Sequence, residues 1–171
     1  MTGRAHQRAA ALVTVLSSAV GVLLGLVWWL VTPLARLEKR ADGVFGVGRQ
    51  AETAVAADGW FAVCGLVAGV VVALVAAFLV RERLAALVGL AAGGVLGSVV
   101  AWRVGALLGP GPLQETAEIL KVGQRFDGPL TISALGVLLA WSMAAVAAFF
   151  AAVAGLDANR PDHTTAADSN R

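Results

Sequence analysis

Four stretches of the chain are apolar almost without interruption, and the polar residues fall between them. They run 9–32, 60–80, 84–108 and 130–154; three carry no charge, and the third carries only Arg103. An apolar helix of about 20 residues crosses the hydrocarbon core of a bilayer. The pattern therefore predicts an all-α membrane protein with four transmembrane helices. The connections alternate long, short and long: 33–59, the Arg-Glu-Arg turn at 81–83, and 109–129. That spacing predicts two hairpins, with an extracytoplasmic cap made by the two longer loops. Residues 1–8 read as a basic N-terminal tip, 9–154 as the membrane domain, and 155–171 as a disordered polar tail, with Gly155 placed to end the last helix.

Composition strengthens the membrane reading. Of 171 residues, 58% are hydrophobic and 14% charged, against about 25% charged in an ordinary soluble domain. Four spans leave too little chain for a separate soluble domain. The net charge is +2, but the basic residues stand singly or in small groups beside the spans, where topology and lipid headgroups account for them. Nucleic acid is therefore not an expected partner. Cys64 is the single cysteine; it has no partner for an internal disulfide and reads as a small apolar residue. The first apolar run is longer than the 7–15 residues of a signal-peptide core, and no A-x-A site follows it, so it reads as an uncleaved anchor. Orientation is less sharply written. Six basic residues fall on the side of the termini (Arg4, Arg8, Arg81, Arg83, Arg160, Arg171) and six on the side of the loops (Arg36, Lys39, Arg40, Arg49, Lys121, Arg125). Their greater density on the shorter terminal segments places the termini in the cytoplasm of a multi-pass plasma-membrane protein.

Small residues recur at every fourth position: Ser17, Gly21 and Gly25; Gly65 and Gly69; Gly89, Gly93 and Gly97; and Gly136 with the alanines that follow it. In lipid, helices associate where small side chains let backbones approach, so each span has one stripe for packing. The two halves also look faintly alike, with Asp-Gly before the second span and again before the fourth. That is the pattern of a parallel repeat about an axis along the membrane normal. Asp58 and Asp127 read as caps of those two helices.

Arg103 has two readings. Eighteen uncharged residues from Ala85 to Trp102 precede it, nearly a full membrane crossing, so it serves as an interfacial anchor beside Trp102. Buried, it would be a functional arginine needing an acidic partner such as Asp58 or Asp127. Trp28, Trp29, Trp60 and Trp102 all fall on the loop side, either as an aromatic belt or as the rim of a site on that face. Trp141 sits in mid-span and reads as packing. The segment from Leu113 to Lys121 has an amphipathic pattern, with Glu115 and Glu118 early and Lys121 late, and predicts a short surface helix.

No catalytic motif is present, the two histidines (His6, His163) lie at the ends of the chain, and no acidic residue or histidine lies within a span. Neither metal nor cofactor is expected, and a proton relay across the membrane has no carriers. The basic N-terminus, the Trp28–Trp29 pair leading to Pro33, the Ala-Asp-Gly-Trp-Phe segment that opens the second span and the two-arginine turn together resemble a family of uncharacterised actinobacterial integral membrane proteins. The resemblance spans roughly 8–155; it implies a four-helix plasma-membrane protein and supplies no activity. The function expected is that of a non-enzymatic partner-binding or accessory component of the cell envelope. Its surroundings are the lipid bilayer and either a membrane-protein partner or further copies of the chain. The alternative is a small transporter or channel subunit; an enzyme working outside the spans ranks third.

Overall fold

The computed structural model describes the backbone of residues 2–80 and 82–158. Four long helices dominate it: α1 Thr2–Val31, α2 Gln50–Leu79, α3 Arg83–Leu108 and α5 Leu139–Ala158. Each is long and apolar enough to cross a membrane. A short helix, α4 Leu113–Ile119, and three strands, β1 Arg36–Arg40, β2 Gly43–Gly46 and β3 Arg125–Asp127, lie in the two long connections. The chain is mostly helical, but it is not all-α.

Burial is inverted relative to a water-soluble bundle. Leu23, Val67, Phe78, Val88, Met143 and Phe150 point outward, 56–74% exposed, while the seams between helices hold Ala73, Ala86, Ala101, Ala145, Ser17 and Ser98. So large an apolar exterior is tolerated only where lipid or another protein covers it. Close packing along the small-residue stripes then replaces the hydrophobic effect as the force between helices.

The tightest seam joins α1 to α3. A Cβ built on Gly21 would stand 2.5 Å from the carbonyl oxygen of Gly97, and one on Gly25 would stand 2.5 Å from that of Ala101. Gly93 faces Ser17, and Gly105 makes room for the Trp28 ring. Contact positions rise together along both helices, so α1 and α3 run parallel. α2 and α5 pair the same way: Gly65 faces Trp141, and a Cβ on Gly69 would meet the Trp141 carbonyl oxygen at 2.5 Å. Gly89 is buried in α3. Gly136 instead has open space around it, so the fourth stripe does not extend to it. α1 also touches α2, and α3 touches α5, which fixes the order round the bundle as α1, α3, α5, α2. A two-fold axis along the membrane normal would set equivalent helices diagonally across such a ring. Here they are neighbours, so the two halves are not related by that symmetry.

Several boundaries differ from those read in the sequence. α1 starts at Thr2, so the basic tip continues the first helix. α2 begins ten residues before the apolar window, at Gln50, and runs through Asp58 and Gly59. Its alanine-rich first turns favour helix, and an interior glycine costs only about 1 kcal/mol. At a 1.5 Å rise per residue, α2 is longer than the hydrocarbon core of a bilayer is thick. The fourth helix starts later than 130, with a 3-10 turn at Leu135–Leu138 leading into α5. α5 continues through Gly155 to Ala158, so 155–158 are helical; the remainder of the tail, 159–171, and Arg81 of the short turn lie outside the described residues.

Both long loops meet in one antiparallel sheet, ordered β2-β1-β3. β1 and β2 form a hairpin with Arg40 opposite Gly43 around the two-residue turn Ala41–Asp42. Gly43 there takes φ of +146°, a conformation that side chains disfavour. β3 comes from the other loop and pairs Arg36 with Asp127, Leu37 with Phe126 and Glu38 with Arg125. Glu38 binds Arg125 at 3.1 Å and Arg40 at 3.5 Å, the latter stacked over Phe45.

Lys39 fastens α4 to this sheet. Its ammonium donates to the carbonyl oxygens of Ala117 (2.6 Å) and Leu120 (2.8 Å) at the end of that helix, where free carbonyls and the dipole favour a cation. A seven-residue helix does not hold together alone. Lys39→Met should therefore release it: amide hydrogen exchange across 114–119 should rise by about tenfold or more, the loss expected from about 1.5–3 kcal/mol of charge-assisted hydrogen bonding, with the bundle amides unchanged.

Candidate functional site

The end of the bundle under the sheet gathers most of the residues singled out in the sequence, but in several different roles. Trp28 does not sit in an aromatic belt. It is fully buried, its indole Nε1 donates to the Ala57 carbonyl at 3.0 Å, and its ring meets Phe61 edge-to-face with centroids 5.1 Å apart. It pins the end of α1 to the upper part of α2. Trp60 is 45% exposed, while Trp29 and Trp102 are half-buried against the core.

Asp58 is not the cap of its own helix, because α2 starts two turns earlier. Its carboxylate instead accepts from the backbone N–H groups of Ser133 (3.0 Å) and Ala134 (2.9 Å), just before the 3-10 turn that leads into α5. It ties α2 to the segment that enters this turn, satisfying two backbone donors there. Asp58→Ala should cost about 1–2 kcal/mol, the range of a lost N-cap, and Asp58→Asn, which keeps one acceptor oxygen, about half of that. Thermal unfolding in mild detergent checks the order of the two. Asp127 likewise does not cap a span; it lies in β3, eight residues before the helical turn begins.

Arg103 is exposed, and its guanidinium carbon lies 5.3 Å from the centre of the Trp102 ring. That is cation–π geometry. Among the described residues it makes no ion pair; of the two acids that a buried arginine would need, Asp58 binds the backbone N–H groups of Ser133 and Ala134 and Asp127 lies in β3. α3 continues beyond Arg103 to Leu108.

Two clefts flank the Pro33–Leu34 segment that carries α1 into the sheet. The smaller, about 240 Å³, lies toward α2 and the loop after β3, with Ala54, Ala57, Pro129 and Leu130 in its wall. The larger, about 500 Å³, is lined by the apolar Trp29, Leu30, Pro33 and Leu34 and by the charged pair Arg36 and Asp127. Thr32, 7% exposed, also lines it, and its hydroxyl has no hydrogen-bond partner in the protein. The structure thus brings Trp29 and Asp127 into one place and leaves Trp60, Trp102 and Arg103 outside it. Arg36, Thr32 and Lys39 carry no motif that marks them. The hairpin beneath them left only two turn-favouring residues, Asp42, which closes the turn, and Gly43, which opens β2.

At the opposite end, Arg83 at the start of α3 forms a two-pronged ion pair with Asp157 near the end of α5, at 2.6 and 2.7 Å. This ties the short-turn side together. Among the described residues no group of three or more His, Cys, Asp or Glu is placed to hold a metal ion. Glu115 and Glu118 are both exposed on α4. These features define a multi-pass membrane protein with four candidate spanning helices and a small sheet closing one end. Comparison of the chain with family models, with curated proteins and with solved structures finds no match, and nothing in it indicates an enzyme family.

Proposed function

We propose that the protein is a non-enzymatic accessory component of a cell envelope, sitting in the plasma membrane with its termini in the cytoplasm and its sheet outside, and working through what that sheet and its clefts bind. The observation that carries this reading is the order in the two long loops. Segments some ninety positions apart, Glu38 and Arg125 among them, are tied by a β-ladder, ion pairs and the Lys39 clamp into one fixed surface. Connections that only joined spans would not need that. Loops positioned by a rigid scaffold are where binding surfaces are usually built. The likeness of the Trp28–Trp29 and Asp-Gly-Trp-Phe segments to actinobacterial membrane proteins fits the same placement.

Crosslinking and labelling test it together. In a Cys64→Ala background, cysteine at Val122 in the cap should react with a membrane-impermeant maleimide on intact cells, and cysteine at Glu82 only after lysis. A photo-crosslinker at Phe45 should give a discrete adduct that one at the lipid-facing Val67 does not. Reversed labelling removes the orientation, and no adduct specific to Phe45 removes the partner-binding role.

A small transporter or channel subunit is the second reading. A cleft of about 510 Å³ between α2, α3 and α5, with Phe78, Arg83 and Phe149 in its wall, favours it; the backbone contact along α1 and α3 leaves no pore at that seam. Solute flux in proteoliposomes, with Arg103→Ala as control, separates the two.

A further inference from the structure

We infer that the cleft at the end of α1 is a binding site for a zwitterionic phospholipid headgroup carrying a primary amine, of the phosphatidylethanolamine type. The inference rests on the reading of this end of the bundle as a membrane interface and adds a ligand to it. The argument begins with the order of polarity along the cleft. Trp29 and Leu30 belong to the last turn of the apolar helix, and Leu30 is 66% exposed, toward the bilayer. Pro33 ends the helical run, and within three further residues the wall becomes charged. A groove that is oily at one end and ionic at the other, at the level where a span leaves hydrocarbon, matches an amphiphile that enters from the membrane. It does not match a solute that arrives from water. At about 500 Å³ it has the size of a small-molecule site.

The charged pair then selects the headgroup. Arg36 and Asp127 are directly opposed residues of the β1–β3 ladder, so their side chains leave the sheet about 5 Å apart. A guanidinium is suited to phosphate oxygens, which its N–H donors can bind in pairs. The Asp127 carboxylate can accept from an ammonium, which leaves opposite charges of ligand and protein face to face. An anionic headgroup without an amine would meet Asp127 as a like charge, and a trimethylated amine has no N–H to donate to it.

Delipidated protein in mild detergent, titrated with equal amounts of phosphatidylethanolamine and phosphatidylglycerol and read by native mass spectrometry, tests the site. Wild type should retain the ethanolamine lipid about tenfold over the glycerol lipid, a ratio equivalent to about 1.4 kcal/mol, and likewise over phosphatidylcholine. Asp127→Asn should bring the first ratio to parity while lipid is still retained, and Arg36→Gln should lower retention of both. Equal retention of the lipids by wild type, or an unchanged ratio in Asp127→Asn, overturns the assignment. The comparison with phosphatidylcholine needs no variant, so the test stands even where a substitution prevents folding. Resistance of the wild-type chain to alkaline extraction from membranes is measured in parallel: an extracted chain defeats the membrane reading, while an integral chain without lipid preference defeats the headgroup site alone.

Discussion

Adding one methyl group at Gly21 is expected to push α1 away from α3 and lower the apparent Tm of the detergent-solubilised protein by about 4–10 °C, the shift that corresponds to about 2–3 kcal/mol of overpacking in a chain of this size. The reason is what lies opposite. The new carbon would stand 2.5 Å from the Gly97 carbonyl oxygen and 3.0 Å from its Cα. Both are backbone, in the middle of a helix, and neither has a rotamer into which to retreat. Gly25→Ala meets the same obstacle at Ala101. The control is Gly59→Ala. Gly59 lies within α2 with nothing within 4 Å of its added carbon, so the same chemical change should raise helix propensity and stabilise by up to about 1 kcal/mol. Opposite signs for an identical substitution are the signature of the seam. Destabilisation of equal size at Gly59 would show that glycine flexibility, and not close approach, is what the sequence preserves.

The second large effect is expected at Trp141. Its side chain is 1% exposed, and glycines on two other helices adjoin its residue: Gly97 lies against the far edge of the ring, while Gly65 and Gly69 lie against its backbone and Cβ. Trp141→Ala would leave a void at the junction of α2, α3 and α5 that these backbones cannot fill. A cost of about 3–5 kcal/mol follows from large-to-small substitutions in cores. The cost takes the form of lost dispersion contacts, because lipid is as apolar as the site. Trp141→Phe should behave differently. The indole N–H has no hydrogen-bond partner within the protein, so replacing it removes an unsatisfied donor, which offsets part of the lost volume. Thermal unfolding of the two variants side by side reads the difference. A Phe variant as damaged as the Ala variant would mean that the indole nitrogen has a partner in the membrane-embedded protein.

These two sites show how much of the bundle was legible in advance. The stripes of small residues identified Ser17, Gly21, Gly25, Gly65, Gly69, Gly93 and Gly97 because lipid removes the hydrophobic drive between helices and leaves close approach as the selection. The stripes did not say which helix meets which. Chain order suggests that α1 should lie closest to α2, yet its glycines face α3. A stripe records that a neighbour comes near and carries nothing about the neighbour's identity. The mid-span position of Trp141 predicts a packing residue, and the side chain is 1% exposed between helices. Trp28 and Asp58 depart from their sequence pattern for a common reason: an apolar window marks the edge of a span, and α2 extends ten residues past that edge. The longer helix covers the Trp28 indole and carries Asp58 to the backbone N–H groups of Ser133 and Ala134, ahead of a different helix.

The cap shows the limit of sequence reading most clearly. That two long loops lie on one side follows from counting spans, whereas the register of Arg36 with Asp127 depends on two segments meeting after the bundle has brought them together. Arg36, Thr32 and Asp127 share a cleft only for that reason.

The sequence by itself determined the solvent of this protein, the number of its long helices and which of their faces could approach one another. These follow from the run length and spacing of apolar and small residues, and both are local properties. Only the tertiary structure decided which helices are neighbours, whose backbone donors Asp58 satisfies and where an arginine, an aspartate and apolar side chains converge. Each of these depends on pairing between segments far apart in the chain, and no local pattern encodes the partner.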